Sequence, residues 1–232
     1  MDMPQEVELN FFYLHWRDAQ KLADWSENEK TKLRSLYARH TILSCVFAVE
    51  AMTNKIYSDF YLLPAGRKSV DRLSIREKVF AAPLVCGRDK PIGRTFDQSK
   101  EPFQSFSELV DIRNWLVHPK GGTYLPARRF FGGIYIADTG EEVPWVETDF
   151  GPVWPHTRIP VNPFELTGAH AVQVLECTRQ LIEEMKLLFA NLLTDKWFDE
   201  IGIRTEDGTY KETVTVQSLW GGYTPEPDNP PR

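Results

Sequence analysis

"DIRNWLVHPKG", residues 111–121, is the stretch on which the reading of the chain turns. It continues an apolar helical pattern, yet it places Arg113, Asn114 and His118 within the last turns of that pattern before Pro119 and the Gly121-Gly122 pair stop it. On an ideal helix Asn114 and His118 lie four residues apart and share a face. Arg113 lies about 140° around from His118 at roughly 100° per residue. A distorted last turn before Pro119, or a second copy of the helix related by a two-fold axis, would bring all three around one cleft.

Working outward, Pro102 is acceptable in a first helical turn, so a helix is predicted from about Pro102 to His118, with Phe106, Leu109, Ile112 or Arg113, and Leu116 along its inner side. Upstream, "EVELNFFYLHWRDAQKLADW" (6–25) has Leu9, Phe12, Trp16 and Ala19 at helical spacing. Ser26 and Glu29 have capping-box spacing and predict the start of a long helix reaching about Tyr61. Its centre, "ILSCVFAVEAMTNKIY" (42–57), is apolar on almost every side except at Glu50 and Asn54, the pattern of a helix buried among several others. Ser74 and Glu77 repeat the box spacing at the start of a shorter helix that Pro83 disturbs and Gly87 ends. Residues 123–165 read differently: "RRFFGGIYIADTGEEVPWVET" (128–148) alternates, turns at Thr-Gly and alternates again, which predicts a β-hairpin insert. The Pro-rich "GPVWPHTRIPVNP" (151–163) leads to a last helix, from about Pro163 or Thr167 to Leu193, with Val174, Leu181, Met185, Leu188 and Leu192 as apolar positions. The expected class is therefore mainly α, with one domain over 1–200 that includes an insert over 121–165. Residues 201–232 form an extension whose end, "TPEPDNPPR", reads as disordered.

Composition narrows the function. The 232 residues are 42% hydrophobic and 26% charged, enough to bury a proper core. No basic signal-peptide start and no membrane-length apolar run is found, so a cytoplasmic location is expected. Cys45, Cys86 and Cys177 are far apart and form no CxxC or Cys/His cluster; they read as core thiols, with neither disulfides nor a metal site expected. The net charge of −6 argues against a protein that coats nucleic acid, though a local basic pocket can still act on a phosphate. Lys120, Arg128 and Arg129 could line such a path, and Phe130, Phe131, Tyr135 and Trp145 could stack on bases; solvated surface and packing of the insert are the plainer roles. His15 and His40 lie in helical stretches without metal-ligand partners, His156 lies in a loop, and His170 is placed to cap a helix. Walker loops, GxSxG elbows and Rossmann glycine motifs are missing, and no cofactor is expected.

Imidazole titrates near neutral pH, and guanidinium presents a planar fork of donors to phosphate oxygens. The two together can cleave RNA without metal: histidine assists attack of the ribose 2'-hydroxyl on the adjacent phosphorus, and arginine stabilises the phosphoryl charge. "IRNWLVHP" (112–119) resembles the Arg-Asn-x-x-x-His signature of HEPN domains (higher eukaryotes and prokaryotes nucleotide-binding). "FAVEAMTNKIY" (47–57) resembles their upstream helix with a glutamate and an asparagine, and "SIREKVFAAP" (74–83) with "EPFQSFSELVDIRN" (101–114) resembles the segments leading to the motif. The resemblance covers about residues 40–120, with the late helix completing a bundle. It implies four or five core helices and a two-fold homodimer whose motifs face each other. It also implies a metal-independent ribonuclease of the kind found in toxin-antitoxin, abortive-infection and CRISPR-linked defence, with an antitoxin or regulatory protein as a further partner. Carried over, His118 is the acid or base, Arg113 the phosphate contact and Asn114 the orienting residue, with Glu50 and Asn54 in support. Two plainer readings stand beside it: a non-catalytic HEPN-like dimerisation or nucleotide/RNA-binding module, and a helix end in which Arg113 pairs with Glu50 or Asp111.

Overall fold

A computed structural model of the chain describes residues 7–60, 69–86, 95–118, 134–136, 142–144, 146–148, 151–189, 193, 201–204 and 210–213. The protein is mainly helical, with α1 (Phe11–Asn28), α2 (Leu33–Phe60), α3 (Ile75–Cys86), α4 (Phe103–Val117) and α5 (Gly168–Leu188). Helix α2 is the centre of the assembly and packs against each of the other four. The reason is legible in its sequence: Ile42, Cys45, Val46, Val49, Met52 and Ile56 recur at three- and four-residue spacing and form one broad buried face, which Ala48 and Tyr57 widen. Each helix that leans on α2 contributes its own stripe, Ala19 and Ala23 from α1, Val79 and Ala82 from α3, Phe106, Leu109 and Ile112 from α4, and Val174, Leu181 and Met185 from α5. The inner side of α4 is thus the predicted one, and its bounds fall within a residue of the expected ones.

Local signals set the helix ends. Ser74 and Glu77 form the reciprocal box ahead of α3, Ser74 N–H donating to Glu77 Oε2 (2.7 Å) and Glu77 N–H to Ser74 Oγ (3.3 Å). Helix α3 runs through Pro83 to Cys86. Thr167 is the N-cap of α5, with its N–H donating to His170 Nδ1 at 3.0 Å, so His170 has the capping role that its position predicts. Burial holds the His170 imidazole below its ordinary pKa.

The Ser26–Glu29 spacing does not start α2. Ser26 is buried in the last turn of α1 and its hydroxyl donates to the Arg34 carbonyl (2.9 Å), while Glu29 caps the end of α1 and accepts from the N–H groups of Lys30 and Thr31. A tertiary partner took the hydroxyl that the local pattern assigned to a cap. Helix α1 likewise begins later than expected. Val7–Leu9 form strand β1, and Asn10 caps the helix, its Oδ1 accepting from Tyr13 N–H.

The segment ahead of α1 pairs there with one that follows α5. β1 pairs antiparallel with β6 (Ile201–Arg204), which pairs with β7 (Tyr210–Thr213). Between α4 and α5, β2 (Ile134–Ile136) pairs with β3 (Glu142–Pro144), and β4 (Val146–Thr148) with β5 (Gly151–Val153). The expected disorder at 224–232 falls outside the described residues.

Two anchors fix the return of the chain to the bundle. Glu108, buried on α4, accepts the backbone N–H groups of His156 and Thr157 through its two carboxylate oxygens. Gln173 of α5 donates to the Thr157 carbonyl. Further on, Gly168 brings the start of α5 onto the end of α1, where a Cβ would lie 2.3 Å from Glu27 Cα. Cys45 is a core thiol, its pKa pushed up to about 12 by burial. Among the described residues, no helix is long and apolar enough to cross a membrane.

Candidate functional site

Helix α4 ends at the motif. Its last residue is Val117, and His118 leaves the helix at φ −117°, ψ 60° with its N–H donating to the Asn114 carbonyl at 2.9 Å. The imidazole of His118 and the amide of Asn114 are exposed on the outer side of this last turn. Among the described residues, neither side chain forms a hydrogen bond.

Arg113 turns the other way. Its guanidinium faces α2, with Nη2 3.7 Å from Glu50 Oε2 and Cζ 5.8 Å from the centre of the Phe47 ring. The side chain is only 18% exposed, against 37% for Glu50. At 3.7 Å the ion pair is too long to be a hydrogen bond, and the buried Nε has no acceptor. Among the described residues, Arg113 makes no hydrogen bond at all, although guanidinium carries five donors. Asp111, the other carboxylate considered for it, instead pairs with Arg76 of α3.

Glu50 and Phe47 also form part of an open cleft of about 470 Å3 between the start of α1 and the middle of α2. The α1 side brings Phe11 and His15; the α2 side brings Phe47, Glu50 and Asn54. The His15 and Phe47 rings lie 5.7 Å apart and are tilted by 50°. Asn54 is one turn beyond Glu50 on the same face of α2, with its Oδ1 accepting from the buried Lys78 Nζ at 2.9 Å. Lysine is a donor only, so it is the amide oxygen that faces Lys78 and the Nδ2 donors that remain.

The structure therefore brings Arg113 to Glu50 and leaves Asn114 and His118 on the outside of the same helix end. Asn54 belongs to the cleft and to Lys78. Lys120, Arg128 and Arg129 lie outside the described residues. His15 was read from the sequence as a helical residue without metal-ligand partners, and the fold puts it in the cleft. Its four-residue spacing from Phe11 was the visible signal, but the wall opposite comes from α2. Among the described residues, no three or more His, Cys, Asp or Glu side chains gather as a metal-ligand set. No protein-family model, curated protein or solved structure matches this chain.

Proposed function

We propose that the protein is a metal-independent endoribonuclease with a HEPN-like bundle and hairpin insert, acting as a cytoplasmic homodimer in stress response or phage defence. The observation that carries the reading is the state of Arg113. Its Nε is buried without an acceptor, which costs about 1–3 kcal/mol, and its outer nitrogens make no hydrogen bond among the described residues, so the guanidinium is open to a ligand that completes it. Phosphate oxygens match its planar fork. His118, exposed where the helix ends, supplies the imidazole.

In this reading His118 takes the proton from the ribose 2'-hydroxyl as its oxygen bonds to phosphorus, and the bond from phosphorus to the 5'-oxygen of the next nucleotide breaks, that oxygen taking up a proton from water. Arg113 stabilises the charge on the non-bridging oxygens, and Asn114 orients the reacting groups. The products are a 2',3'-cyclic phosphate and a 5'-hydroxyl. Glu50 and Phe47 hold Arg113 in place. Because Arg113 and His118 point to different sides of one α4, a two-fold partner whose α4 end faces this one is the arrangement that gathers both kinds of side chain at one phosphate. Lys120, Arg128 and Arg129 extend the path of the RNA, and an antitoxin or regulatory protein restrains the activity.

The test is cleavage of an RNA pool with end mapping. His118→Ala is expected to lower the rate by about 10²–10⁴-fold, the usual worth of a general acid-base group, with an unchanged melting curve and an unchanged mass in solution. EDTA is expected to leave the wild-type rate unchanged. Wild-type protein that cuts no RNA, or that needs a divalent ion, defeats the reading. One observation favours a second reading, a non-catalytic HEPN-like dimerisation or nucleotide-binding module: the Glu50–Arg113 pair can serve simply to join α2 and α4. In that case His118→Ala lowers the melting temperature or dissociates the dimer.

A further inference from the structure

The α1–α2 cleft has the size of a small-ligand site, which usually falls between about 300 and 1,000 Å3, and combines flat apolar walls with a few fixed polar groups. Asn10, Lys55 and Ser58 also line it, and on the α2 wall Glu50 and Asn54 stand one turn apart on one face, with Ser58 a further turn along. Glu50 offers two acceptor oxygens. Asn54, one turn along the same face, has its oxygen engaged by Lys78 and offers Nδ2 donors; the lysine's charge polarises the amide and strengthens them. A ligand edge that complements this wall carries two adjacent donors followed by an acceptor.

Among the nucleobases that edge is guanine's, with N2–H and N1–H as donors and O6 as acceptor. Adenine and cytosine offer only one donor group on the corresponding edge, and uracil a single N–H flanked by two acceptors. Phe11, 57% exposed at the start of α1, and the His15–Phe47 pair provide surfaces on which a base ring can rest. We propose that this cleft is a guanine-recognition site and, on the ribonuclease reading above, the pocket that takes a guanosine neighbouring the scissile phosphate. Glu50 then has two roles, since the carboxylate that meets the base also stands 3.7 Å from Arg113, and base binding and phosphate binding are joined through one side chain.

Calorimetric titration of the full chain with GMP, AMP, CMP and UMP tests the proposal. GMP is expected to bind at least about ten-fold more tightly than the other three, the discrimination ordinarily given by one bidentate base contact. Glu50→Gln, which replaces one acceptor oxygen by a donor, is expected to remove that preference. Phe11→Ala, a change at an exposed position, is expected to weaken all four nucleotides by a similar factor and to keep their order. Equal affinities for the four, no binding, or a GMP preference that survives Glu50→Gln overturns the proposal.

RNA end mapping separates the two readings. Cleavage next to guanosine supports both. Cleavage without base preference by a chain that does not bind GMP removes the guanine site and leaves the nuclease standing. Selective GMP binding by a chain that cuts no RNA removes the nuclease and leaves a site for free guanine nucleotides.

Discussion

Two charged residues of α4, Glu108 and Arg113, differ in a way that separates framework from site. Glu108 is 6% exposed, and both of its oxygens accept backbone N–H groups from the 156–157 turn. Arg113, little more than a turn later, is also largely covered, yet none of its donors has an acceptor among the described residues. A buried charge with every hydrogen bond made belongs to the architecture. The guanidinium of Arg113, with none made among the described residues, is the group that the ribonuclease reading assigns to phosphate.

Substitutions can break this contrast. The largest effect is expected from Glu108→Ala, which leaves the buried Thr157 N–H and the partly buried His156 N–H without their acceptor and loosens the Trp154–Ile159 turn from α4. A loss of about 2–5 kcal/mol in chemical denaturation is expected, and a change below about 1 kcal/mol would show that Glu108 is no anchor. Gly168→Ala comes next, since its new methyl meets the α1 backbone at Glu27 and cannot be accommodated by a side-chain rotation. Overpacking of this kind costs about 1–3 kcal/mol, read in the same experiment. Arg113→Met keeps an unbranched side chain and removes the guanidinium that stands over Phe47 and beside Glu50. Stability is expected to hold or to rise by about 1–3 kcal/mol, because the substitution removes a buried donor without an acceptor and the remaining Glu50 is partly exposed to water. RNA cleavage by this variant is expected to disappear, and a large loss of stability with cleavage retained would reverse the contrast.

The smallest effect concerns His170, whose Nδ1 must be unprotonated to accept the Thr167 N–H. Its folded pKa lies below the ordinary 6.5 because of burial, so the cap's contribution is complete above the unfolded value and is lost as pH falls through the lower folded value. The melting temperature of the wild type is expected to drop more between about pH 7 and pH 5 than that of His170→Gln. The difference should correspond to less than about 1 kcal/mol, within the range of helix-capping effects.

The same contrast explains what could be read from residues alone. The apolar centre of α2 and the stripe of α4 were legible, because burial on a helix leaves its period in the sequence. The Ser74–Glu77 box was legible because both partners are local. Ser26 and Glu29 have the same spacing, and there the pattern failed, since Arg34 supplies a nearby carbonyl once the helices have turned back on each other. Glu108 looked like any acidic residue in a helix. Its partners are backbone groups nearly fifty positions away and have no side-chain signature. Of the site, the chemical groups of the 113–118 turn were visible, as was Glu50 as a partner for Arg113. The cleft beside them was not, because it exists only where α1 crosses α2, and neither helix carries a local sign of the other.

Helix α2 runs for 28 residues, about 42 Å at 1.5 Å per residue, and every other helix rests on it. Glu50 and Asn54 stand on that beam, so a visiting molecule meets a surface already held rigid by the interior. Little ordering remains to be done on arrival, and such a surface gains selectivity from its fixed shape where a flexible loop must first settle.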